Sequence, residues 1–92
     1  MLSDRKVVTA AATAERLEDS THVVGMLIIQ AETDNTGLVA LGGPNVDVTA
    51  TSQEGTQLYA GEIMPPLYYV DLYDIWIDSA VSGDGVTYSF VG

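Results

Sequence analysis

The sequence predicts an all-β protein: a single small β-sandwich or jelly-roll-like domain of about eight short antiparallel strands with an N-terminal arm. Three observations lead there. Val, Ile and Thr are abundant while Lys6 is the only lysine, turn residues recur roughly every 8–12 residues, and no apolar pattern keeps a helical period. At 92 residues one hydrophobic core is the expected unit, with no room for a second domain.

Taken in order, residues 5–9 (RKVVT) and 12–17 (ATAERL) read as the first two strands, although ATAERLED has enough helix propensity for a helical turn instead. Residues 23–32 give the clearest strand, apolar on both parities at Met26, Leu27, Ile28 and Ile29, a pattern expected of burial on both faces. The turn residues Thr33 to Gly37 followed by the apolar run Leu38 to Leu41 form a hairpin signature, closed by Gly42-Gly43-Pro44. Asn45 to Thr49 alternates, with Val46 and Val48 on one face. Leu58 and Tyr59 form a short apolar step, and the Pro65-Pro66 pair delays the next strand to about Leu67. Residues 67–70 and 75–79 flank the turn Asp71 to Asp74. The last strand runs from Val86 to Val91 after Ser82-Gly83-Asp84-Gly85, a turn that favours positive φ.

Composition excludes several functions. With no cysteine and His22 as the only histidine, the usual zinc, haem, iron–sulfur and disulfide chemistry has no ligands, and no metal or cofactor is expected. A net charge of −10 opposes phosphate backbones and anionic lipid, so neither nucleic acid nor membrane is an expected partner. The charge is also uneven. Arg5, Lys6 and Arg16 against Asp4 and Glu15 give residues 1–16 a net +1, whereas residues 17–92 hold eleven acids and no base, for −11. Residues 1–16 are therefore expected to form an N-terminal arm or the first strands, and 17–92 the body of the sandwich. No segment reads as a targeting or membrane-spanning sequence, since the longest apolar run, Val23 to Ile29, falls well short of the roughly 20 residues that span a bilayer.

No catalytic constellation emerges. The acids lack the spacing of a calcium loop. A glycosidase needs two carboxylates at fixed separation in a groove, for which a chain this small has little room. No strained G-x-S-x-G turn accompanies His22, which reads as a strand-end residue. Glycine-rich phosphate loops are missing as well. The acids read mainly as solvated charges that suppress edge pairing.

The aromatics point to contacts. Period-2 alternation puts Ile75 and Ile77 inward and Trp76 outward beside Asp74 and Asp78, and one of the adjacent Tyr68 and Tyr69 must face out. Exposed Trp and Tyr are the residues enriched at interface hot spots. A domain this small folds near break-even without a staple, so oligomerisation is expected.

The order of motifs resembles a group of small virion proteins of tailed bacteriophages. The matching residues are GMLIIQA, Asp34 to Gly37 with LVALGG, Gly55 with Leu58 and Ala60-Gly61-Glu62, then Leu72 to Asp78, and Ser82 to Val86, within about residues 24–90. Gly42-Gly43-Pro44 and Pro65-Pro66 depart from the pattern. The resemblance implies a non-enzymatic capsid decoration (cement) protein, commonly a homotrimer, made in the host cytoplasm and seated on the outer surface of the virion against the major capsid protein. A head-to-tail connector or tail component is the alternative within the virion. A carbohydrate-binding β-sandwich, suggested by Trp and Tyr beside acids, is the alternative of another class. The expected shell-facing or neighbour-facing residues are Arg5, Lys6, Val7, Val8 and Arg16. Lateral or oligomer contacts are expected at Met26, Ile28, Tyr68, Tyr69 and Trp76.

Overall fold

The computed structural model describes residues 1–92 and contains eight strands. They are β1 (Leu2–Val7), β2 (Glu15–Arg16), β3 (Val23–Ala31), β4 (Val39–Gly42), β5 (Thr56–Leu58), β6 (Leu67–Asp71), β7 (Trp76–Ser79) and β8 (Gly85–Val91), with one 3₁₀ turn over Leu72–Asp74. Two four-stranded antiparallel sheets result. Sheet A has the order β1-β8-β3-β6 and sheet B the order β2-β7-β4-β5. The pairs β1:β8, β2:β7, β3:β6 and β4:β5 are nested in sequence. Such a chain is one long hairpin rolled into two sheets, which is jelly-roll winding.

Residues 1–16 carry β1 and β2, at Leu2–Val7 and Glu15–Arg16, where the sequence predicts strands at 5–9 and 12–17. Pairing with β8 begins at Leu2, and Val8 is wholly buried in the core. The core lies between the sheets, where Val24, Leu27, Ile29 and Ala31 of β3 meet Leu41 of β4, Ile75, Ile77 of β7 and Val86, Tyr88 and Phe90 of β8.

Burial of β3 on both faces is not observed. Leu27 and Ile29 point into the core, while Met26 and Ile28 are only half-buried on the outer face. The strand also changes parity. Val24 and Leu27, both inward, are three residues apart, as are Leu67 and Val70 of the partner strand, which pack on the same core. The ladder runs Val24↔Val70 and then Met26↔Tyr68, skipping Gly25 and Tyr69. Tyr69 absorbs the matched shift at φ +53°, a conformation rarely adopted by a bulky residue.

Two local expectations change. Thr33 to Gly37 joins strands of different sheets and is not a hairpin, because the Asp84 carboxylate accepts from the Thr36 and Gly37 amides (3.1 and 2.9 Å), pulling the segment across to the β7–β8 turn. Asn35 exchanges two hydrogen bonds with the Gly85 backbone, at 2.9 and 3.0 Å. Residues 45–49 form no strand, and Asp47 makes only an isolated bridge to Glu54. The alternation there still orients side chains: Val46 and Val48 are buried with Ala40 on the outer side of sheet B. The positive φ expected after Ser82 is found at Gly83 (+95°).

Many of the acids are structural rather than merely solvated. Glu15 accepts from the Thr9 amide and hydroxyl and the Ala10 amide, at 2.9–3.1 Å. Asp71 accepts from His22 and Tyr73 amides, and Asp78, 2% exposed, from those of Val48 and Ser79. Asp47 accepts from the Thr49 amide and the Ser52 hydroxyl. Burial works to raise the Glu15 carboxyl, but Lys6 and the Ala10 and Thr9 donors outweigh it and hold the group below its usual range. The Thr49 amide and Ser52 hydroxyl lower Asp47, and the His22 and Tyr73 amides lower Asp71.

These three groups bind protons more weakly folded than unfolded. Their stabilisation is complete above the unfolded carboxyl values near ~4 and is lost as pH falls through the folded values. Relief of the −10 self-repulsion acts in the opposite sense. In thermal melts from pH 7 to pH 2, Asp71→Asn should therefore lower the melting temperature at neutral pH and show a shallower acid decline than wild type. Parallel curves for the two proteins would contradict this role for Asp71. Gly85→Ala offers a second check, since a Cβ there would overlap the Lys6 carbonyl oxygen and approach Val7 Cα to 2.9 Å. The variant should lose about 2 kcal/mol or more through overpacking, read by urea denaturation.

Candidate interaction surface

The basic residues expected to face a neighbour are largely engaged within the chain. Lys6 Nζ lies 2.9 Å from Glu15, and Arg5 Nε lies 2.9 Å from Glu32, with the Arg5 side chain still 58% exposed. Arg16 donates to the Tyr73 carbonyl oxygen at 2.6 Å, and its guanidinium carbon lies 3.7 Å from the Tyr73 ring centroid and 4.5 Å from that of Trp76. Val8 is a core residue and offers no surface. Within the expected set, Arg5 and the half-buried Val7 stay accessible on the β1 edge, next to the exposed Met1 and Leu2.

Trp76 has the expected parity and is half-buried, as a partly exposed residue should be. It packs on the Ala40, Val46 and Val48 cluster brought over sheet B by the loop after β4, and Arg16 lies over its ring. Its partner on the same face, Asp78, is buried as the acceptor for the Val48 amide.

One polar chain reaches the core. The Tyr88 hydroxyl donates to Glu18 Oε2 at 2.8 Å, Glu18 Oε1 lies 3.2 Å from His22 Nδ1, and the His22 ring meets Phe90 edge-on with centroids 4.8 Å apart. Burial, with Glu18 beside it, pushes the Tyr88 phenol up, so it stays a proton donor to Glu18. These contacts fasten residues 18–22 to sheet A, in keeping with His22 as a strand-end residue. A polar hollow of about 440 Å³ is lined by Gln30 to Asp34 and Thr87. Its Glu32 is already paired with Arg5.

The outer face of sheet A is different in kind. Cross-strand register places Tyr68, Met26 and Val91 in one row, Ile28 beside Ser89 in the next, and Gln30 beside Thr87 and Ile63 in the third. Tyr68 is 60% exposed, Tyr69 86%, Ile63 59% and Val91 46%. No charged residue occurs in 23–31, 63–70 or 86–92. In contrast, the far edge of the sheet carries Asp4, Arg5 and Lys6 on β1. The β6 edge is guarded differently, by Pro65-Pro66 ahead of it and the positive-φ Tyr69 within it, which disfavour addition of another strand. The face rather than the edge is thus the accessible apolar surface. Met26, Ile28, Tyr68 and Tyr69 of the expected lateral set come together here. Ile63 and Val91 join them unanticipated, although the three uncharged segments were visible in the sequence.

No protein-family model, curated protein sequence or solved structure matches the chain.

Trp76→Ala should leave a void beneath Val46 and Val48 and cost about 3 kcal/mol, at the low end for a large aromatic truncation. On a glycan array, wild type should show no binding that this substitution removes. A Trp76-dependent glycan signal would reverse the assignment of Trp76 as packing.

Proposed function

We propose that this chain is a non-enzymatic structural virion protein that decorates and stabilises a phage capsid by bridging shell subunits. The observation that carries the proposal is the uncharged, tyrosine-bearing outer face of sheet A on a chain of net charge −10. An acidic protein that gathers several exposed apolar side chains on one face has the character of an assembly component, because patches of this kind mark contact sites. The resemblance of the motif order to small phage virion proteins supports a capsid as the particular assembly, and the jelly-roll winding suits it.

In this role the β1 edge, with exposed Met1, Leu2 and Arg5, faces the major capsid protein, and the outer face of sheet A makes the lateral contact. The acid-rich remainder faces solvent at the outer surface of the virion. Stabilisation follows from mass action: a protein that binds only the assembled shell contributes RT ln(1 + [L]/Kd) per site, about 2.7 kcal/mol at a hundredfold excess over Kd, and many sites act together.

Purified protein mixed with shells assembled without it should co-sediment in a saturable ratio and raise their melting temperature. Leu2→Asp should weaken both effects while preserving the circular dichroism spectrum. Absence of co-sedimentation and of any melting shift would overturn the proposal, and co-purification with tails instead would move the protein to the tail or the head-to-tail junction.

A further inference from the structure

Building on the assignment of sheet A's outer face as an assembly surface, we infer that its occupant is a second copy of this chain, packed face to face about a twofold axis. Charge permits this partner. Two copies carrying −10 each repel wherever their acids approach. The rows formed by Tyr68, Met26 and Val91 and by Ile28 and Ser89 carry no charge, so two such faces meet without opposing carboxylates.

Area agrees. Ile63, Tyr68, Tyr69 and Val91, with the half-buried Met26 and Ile28, present on the order of 500 Å² per copy, within the size range of the largest patch on an ordinary monomer. Two such faces, fully covered, bury on the order of 1,000 Å², about the least that a specific interface needs.

Symmetry follows from the same surface. A threefold ring needs two different complementary patches on each chain, whereas an isologous twofold contact uses one patch twice. Sheet A provides one. Its apolar character fades across the sheet toward Ser89, Thr87, Ser3 and Arg5, which gives the contact a polar rim along one side. Met26, flanked by Tyr68 and Val91, lies near the axis and meets its own counterpart.

Light scattering at tens of micromolar should give about twice the 9.8 kDa chain mass, with tighter association as salt screens the acidic bodies. Met26→Asp places two carboxylates at the axis and should weaken dimerisation on the order of 100-fold or more, with the circular dichroism spectrum unchanged. Because the chain has no cysteine, Met26→Cys should form a disulfide-linked dimer on mild oxidation, whereas Thr13→Cys should not. A wild-type monomer at 200 μM, a trimer, or a dimer indifferent to Met26→Asp would each overturn the inference. A monomer that still binds shells overturns the twofold contact alone. A Met26-dependent dimer that leaves shells untouched supports this contact and overturns only the decoration role.

Discussion

Backbone amides in the connections of this sandwich are met by carboxylates, and much of the rest of the molecule depends on that arrangement. Seven links join the eight strands, and most of them cross between sheets, leaving N–H groups outside any ladder. A buried donor without an acceptor is costly, as the Val48 amide would be without Asp78, and at the more exposed connections a carboxylate fixes a backbone that water would leave loose. Glu15 holds the β1–β2 turn, Asp71 the entry to β3, Asp84 the β3–β4 crossing, and Asp78 the loop that covers Trp76. In a chain without cysteine, these contacts take over part of the fastening that disulfides supply in other small domains.

The acidity of the protein is thus partly a consequence of its winding. Lys6 and Arg5 are drawn in to balance Glu15 and Glu32, and Arg16 is laid over Tyr73 and Trp76. Across the division of the sequence into a basic-tinged segment and an acidic body, the Arg5–Glu32 ion pair and the Arg16 contacts with Tyr73 and Trp76 tie the two parts together. What survives at the surface is another division, between acid-bearing loops with sheet B on one side and, on the other, the strands β3, β6 and β8, uncharged except for Asp71 at the end of β6. The Gly25–Tyr69 shift contributes to it. Turning both strands by one residue at the same point keeps Leu67 and Val70 on the core and leaves Tyr68 and Tyr69 outside.

The strands were legible where local chemistry suffices. Alternation and flanking turns placed β3, β6, β7 and β8 within about a residue, and the parity of Ile75, Ile77, Val46 and Val48 held. Partners distant in sequence were not legible. Turn residues at 33–37 cannot distinguish a hairpin from a crossing, because the deciding acceptor, Asp84, lies 47 residues beyond Gly37. Nothing near residue 2 announces β8 as its partner. Trp76 faced outward as alternation requires, but the loop and guanidinium that cover it come from elsewhere in the chain. Four of the six residues of the candidate surface were readable as unexplained apolar residues, Met26, Ile28 and the two tyrosines, and register was needed to join Val91 and Ile63 to them.

The central claim is that the uncharged face of sheet A is buried in the protein's working assembly while the carboxylate-fastened loops stay in water. Amide hydrogen exchange, compared between dilute protein and the assembled state, addresses it most directly. The account predicts added protection in residues 63–70 and at the ends of β3 and β8, with exchange in residues 43–55 unchanged. Protection gained in 43–55 with none in 63–70 would contradict it.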